Sequence, residues 1–113
     1  MSEEFMKLQL RRPSDWETVL LKKLMKIGGI IVNDISNLMV SDLDDGQMGS
    51  LLLFVNGKYE ERDASNFISE CQFYDEDGVP VIASLYSDKS GVISELDIWK
   101  VDFTSLIKKS NDL

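Results

Sequence analysis

Twenty acidic side chains and no histidine set the chemistry open to this chain. The carboxylates gather in three places. "DLDDG" brings Asp42, Asp44 and Asp45 ahead of Gly46; "DEDG" brings Asp75, Glu76 and Asp77 ahead of Gly78; "SELDIWKVDF" carries Glu95, Asp97 and Asp102. Clustered carboxylates suit Ca²⁺ or Mg²⁺, paired carboxylates suit glycoside hydrolysis, and an acidic surface suits a basic partner. The metal pattern fails on spacing. Counting an EF-hand loop from Asp42 puts Gly46 fifth and Leu53 twelfth, and counting from Asp75 puts Gly78 fourth, where the loop needs glycine sixth and glutamate twelfth. Asp-Gly before a strand is also what a turn requires, because glycine supplies positive φ. A glycosidase needs a larger scaffold to form its cleft.

Other catalytic sets are missing. Without histidine there is no Ser-His or Cys-His pair and no imidazole base. The single cysteine, Cys71, follows Glu70 in an apolar stretch. Burial and a neighbouring negative charge both raise a thiol's pKa, so it is expected to be an inert core cysteine. "GQMGS" lacks the lysine and spacing of a phosphate loop, and Met48 within it reads as core filler. No cofactor, no metal ion and no enzymatic activity are expected.

The scaffold that must carry these acids is small. The 113 residues fit a single domain, 1–113, with one core. Hydrophobic content of 43% against 28% charged is that of a folded protein. No apolar run is long enough to span a bilayer, the first residues do not resemble a signal peptide, and one cysteine permits no internal disulfide. These features predict a cytoplasmic protein with no membrane association. Residues 1–27 carry a net +2 and residues 28–113 a net −10, together the −8 of the whole chain. Most of this surface would repel a phosphate backbone, so nucleic acid is not an expected partner.

The elements follow from periodicity. In "RRPSDWETVLLKKLMKIGG", Ser14 and Glu17 form a capping box and Asp15 favours the positive end of the helix dipole. Trp16, Val19, Leu20, Leu24 and Ile27 recur at helical spacing, and Gly28-Gly29 stops the helix. Ile30 to Val32 reads as strand or buried connection, and Leu38 to Leu43 as strand. Ser50 to Val55 is an apolar strand, with Asn56-Gly57 predicting a hairpin into "KYEER". A meander of three strands follows. Phe67, Cys71 and Phe73 are expected on one face of the first. In the second, Val79, Val81, Ala83 and Leu85 oppose Ile82 and Tyr86, and Pro80 weakens the start or marks an edge. "SELDIWKVDF" is the third. The tail from Thr104 is expected to add a short turn and fray. The fold class is therefore α+β: an N-terminal helix packed on an antiparallel, meander-like sheet of about five strands.

The last strand contains a contradiction. Leu96 and Ile98 are apolar on one parity; Trp99, Val101 and Phe103 are apolar on the other. A strand with one buried face cannot switch parity without a bulge or bend. The pattern predicts such an irregularity at Ile98–Trp99, with Trp99 packed in the core and Glu95 and Asp97 on the solvent side.

Four segments, "RRPSDWE", "DGQMGSL", "FYDEDGVPV" and "ELDIWKVDF", resemble in order and spacing a family of small uncharacterised bacterial domains of unknown function with a C-terminal ELDxWKxDF signature. The resemblance covers roughly residues 11–106 and implies no catalytic residues. In size and acidity the chain also resembles the immunity proteins of bacterial toxin systems. The expected function is that of an acidic, non-enzymatic interaction domain, of an immunity type that binds a basic toxin. Its contacts would come from Asp42, Asp44, Asp45, Asp75, Glu76, Asp77, Glu95 and Asp97. The alternative is a regulatory domain that binds a small ligand or divalent ion at the acidic turns. Homodimerisation through a strand edge stays open under either.

Overall fold

The computed structural model describes residues 9–30, 35–57 and 63–107. It is α+β, as the periodicity predicts. Helix α1 (Asp15–Ile27) precedes β1 (Met39–Asp42), β2 (Leu51–Phe54), a short 3-10 turn (Val55–Gly57), β3 (Asn66–Tyr74), β4 (Pro80–Ser87) and β5 (Ile93–Lys100). All strand pairings are antiparallel in the order β1-β2-β5-β4-β3. The last three strands form the expected meander, and β5 is central.

The capping box starts the helix. Ser14 Oγ accepts the Glu17 N–H at 3.2 Å, and Glu17 Oε1 accepts the Ser14 N–H at 2.8 Å. The buried stripe is Trp16, Leu20, Leu21, Leu24 and Met25, packed on Val40, Leu51, Leu53, Phe73, Val81, Ala83, Leu85, Leu96 and Ile98. Val19 and Ile27, expected on that stripe, are exposed; Leu21 and Met25 replace them because the sheet meets the helix slightly round its axis. At the helix C-terminus Gly28 has an ordinary helical φ of −77°. A Cβ there would overlap Ile68 Cγ2, so glycine is required by close approach rather than by conformation.

The turns and the tail add detail. Asn56 takes a positive φ of 64° in the 3-10 turn, and the strand expected to follow the Asn56-Gly57 hairpin turn lies outside the described residues. "KYEER" and most of Ile30 to Val32 lie outside the described residues. In β3, Phe67 is not on the face of Cys71 and Phe73. A register shift between Phe67 and Ser69 turns it outward, where its ring meets Tyr86 at 5.8 Å. In the tail, Leu106 packs against the core and its N–H donates to Gln47 O at 3.2 Å; the residues after 107, where fraying is expected, lie outside the described ones.

The sheet edges differ. Beside β1, Arg11 exchanges backbone hydrogen bonds with Val40 at 2.9 and 2.7 Å. Its guanidinium bridges Glu17 and Asp42, each at 2.8 Å. The hydrogen bonds to Glu17, then Asp42, hold it more firmly protonated than an ordinary arginine. Among the described residues, no helix is long and apolar enough to cross a membrane.

The Gly28 contact yields a paired test. Gly28→Ala should destabilise the protein by about 1–3 kcal/mol through overpacking. The same change in an Ile68→Ala background should cost less, measured by urea denaturation of all four chains of the cycle.

Candidate functional site

The third acidic segment resolves differently from the parity argument. The β4–β5 register runs unbroken from Val81↔Lys100 through Ile82↔Trp99 and Ala83↔Ile98 to Tyr86↔Glu95, and shifts only at Ser94. The bulge expected at Ile98–Trp99 is absent, and Trp99 is not in the core: it is 43% exposed. The residue that continues the buried parity of Leu96 and Ile98 is Lys100, which is fully buried.

Lys100 is tolerated there because two acids meet it. Its Nζ donates to Asp75 Oδ2 at 2.8 Å, to Asp77 Oδ2 at 2.6 Å and to Ser105 O at 3.3 Å. Asp75 is fully buried and the Asp77 side chain one-third exposed, at 33%. Burial alone would lower the ammonium's pKa; its hydrogen bonds to Asp75 and then Asp77 outweigh it and hold Lys100 above the ordinary lysine value. Asp75 also accepts the Glu76 N–H at 2.7 Å through Oδ1 and the Ile107 N–H at 2.7 Å through Oδ2. The β3–β4 turn, the end of β5 and the C-terminal segment are thus tied at one point. Met48 joins them, its Sδ accepting the Lys100 N–H at 3.4 Å.

The acids named from the sequence therefore separate into groups. Asp75 is inside the protein, against the expectation that it contacts a partner, and Asp77 is engaged by the same lysine. Glu76 beside them is exposed. In the β1–β2 turn, Asp42 pairs with Arg11. Asp45 accepts the Met48 and Ser50 N–H groups at 3.1 and 3.0 Å. Asp44 is exposed. This turn borders a cleft of about 340 Å³ that Gln47 and Leu106 also line. Among the described residues no group of three or more cysteine, aspartate or glutamate side chains is placed to hold a metal ion.

Glu95 and Asp97 form the remaining group. They alternate with Leu96 and Ile98 and so lie on the face of β5 turned away from the helix. Both are half-buried. Glu95 stands opposite Leu52 on β2 and Tyr86 on β4; Asp97 stands opposite Ser84. Burial first, then the hydrogen bond and negative charge of Asp97, push Glu95 up to about 7. Trp99 continues this face and its ring lies 6.0 Å from that of Phe103. Ile82, Tyr86, Phe67 and Tyr74 extend it across β4 and β3. Trp99 and Phe67 as surface groups were not legible from alternation alone; the signal that would have placed Trp99 is the uninterrupted parity Leu96, Ile98, Lys100.

Cys71 is half-buried rather than in the core. Burial raises its pKa, Lys23 works against this and Glu70 adds to it, so it is a weak nucleophile at neutral pH.

The profile of a family described as Domain of unknown function (DUF6984) matches residues 10–110. No curated protein and no solved structure matches the chain.

Two outcomes test this geometry. Asp75→Ala leaves the Lys100 ammonium with Asp77 and a backbone carbonyl only and should destabilise the protein, with Asp77→Ala milder because Asp77 is partly solvated; denaturant unfolding measures both. Glu95 has a folded pKa above its ordinary 4.5, so the folded state binds the proton more tightly and loses stability as pH rises through that window. Relative to Glu95→Gln, the native protein should lose melting temperature steadily between about pH 5 and pH 8.

Proposed function

The chain belongs to the DUF6984 family of domains of unknown function, and we propose that it is a non-enzymatic interaction domain whose working surface is the face of β5, β4 and β3 turned away from the helix. One observation carries this reading: Trp99, on the central strand, is held outward by the buried Lys100 beside it. Monomeric proteins rarely expose large aromatic side chains together without an occupant for them, and tryptophan and tyrosine are favoured anchors at interfaces. Phe67, Tyr74 and Phe103 are also exposed, and Glu95 and Asp97 lie among them. A partner with a basic surface suits the −8 charge of the chain. Covering the basic surface of a toxin, the immunity-type role, is one form such an interaction takes.

The acidic β1–β2 turn supports the alternative, a small-ligand or ion site, less well. Its cleft is present, but Asp42 and Asp45 are engaged by Arg11 and by backbone N–H groups.

A photo-crosslinking residue placed at Tyr74 or Trp99, with Lys22 on the helix as control, tests the surface in the native host. The face positions should give a discrete protein adduct that Lys22 does not, identified by mass spectrometry. Equal labelling from all three positions, or none from the face, would contradict it.

A further inference from the structure

We propose that this sheet face recognises an arginine side chain of its partner, seated on Glu95 and Asp97 and flanked by Trp99 and Tyr86. The inference rests on the interaction reading above and adds the chemistry of the occupant.

The first argument is charge on every neighbouring strand. On the face turned away from the helix, β5 carries Glu95, Asp97 and Trp99, β4 carries Ile82, Tyr86 and the buried Ser84, and β2 carries Leu52 and the buried Phe54. Farther out, β3 carries Glu70, Gln72 and Tyr74, and β1 carries Met39 and the buried Ser41. None of the described basic residues lies on it: Arg11 and Arg12 precede the helix, Lys22, Lys23 and Lys26 are on the helix, Lys89 is in the β4–β5 turn and Lys100 is in the core. The acids at its centre therefore lack a cation among the described residues.

The second argument excludes a second copy of the chain. A two-fold contact through this face would bring Glu95 and Asp97 of both copies together, with Glu70 nearby, and would bury carboxylates against carboxylates. A cationic partner relieves the repulsion that an identical one doubles.

The third argument is side-chain type. Two carboxyls two residues apart on one strand face offer several acceptors to a planar guanidinium. An exposed indole beside them offers a stacking surface, which favours arginine over the compact, strongly hydrated ammonium of lysine. A bound cation favours the ionised form of Glu95, whose pKa stands at about 7 in the free protein. Binding therefore releases a proton, and affinity rises with pH until Glu95 is fully ionised.

The test uses the full chain labelled with ¹⁵N and two blocked pentapeptides, Ac-Thr-Val-Arg-Val-Thr-NH₂ and the same sequence with neutral citrulline in place of arginine. The arginine peptide should cause saturating amide shifts confined to residues 82–86 and 95–99 and to the Trp99 indole, while the buried Trp16 indole stays still. The citrulline peptide should bind about tenfold more weakly. That preference should vanish in Glu95→Gln/Asp97→Asn, whose unchanged Trp16 resonance certifies its fold. Affinity for the arginine peptide should rise between about pH 6 and pH 8. Equal binding of both peptides at this face would overturn cation recognition and leave the interaction surface standing. No saturable shift on the face with either peptide would remove both readings.

Discussion

The ion pair between Lys100 and the two aspartates of the β3–β4 turn is the constraint on which the rest of this structure depends. A lysine with a fully buried side chain is destabilising unless its charge is met. Here Asp75 and Asp77 meet it at 2.8 and 2.6 Å, and the Ser105 carbonyl accepts a further hydrogen bond. Because Asp75 also accepts the Ile107 N–H, the same point anchors the chain after β5 onto the turn before β4. Removing either partner would leave a charge in a place with little water to solvate it, so the arrangement is more demanding of completeness than it is generous in net stability.

Its second effect is on direction. Side chains of a strand alternate between faces, and one fixed position sets all the others. With Lys100 held inward, Leu96 and Ile98 join the core and Glu95, Asp97 and Trp99 face away from the helix. The bulge at Ser94 lies beyond this run and leaves its parity intact. The composition of the face turned away from the helix thus follows from an interaction on the opposite side of the same sheet. A structural lock and a surface of functional interest are two readouts of one register.

Much of this was legible in the sequence. Ser14 and Glu17 marked the helix start because capping is local and depends on four residues. The strands of the meander were legible because Asp-Gly and Ser-Gly turns punctuate apolar alternation. The buried lysine was not, since alternation treats any lysine as solvent-facing and its partners stand 23 and 25 residues away. The turn acids were misread for the same reason: a turn explains Asp75-Glu76-Asp77-Gly78 completely until a cation arrives from another strand. Phe67 escaped because a register shift of one residue reverses a face. The Glu95–Asp97 pair was placed correctly at a surface, but the sequence gives no measure of its half-burial or of the aromatic groups around it.

Amine-reactive labelling of the native protein, read residue by residue by mass spectrometry, tests the central claim most directly. Lys22, Lys26 and Lys89 are exposed and should be acylated readily, whereas Lys100 should remain unmodified until the chain is unfolded and then react like the others. Acylation of Lys100 at a rate comparable to the exposed lysines in the folded protein would contradict the buried ion pair and, with it, the register that turns Trp99 outward.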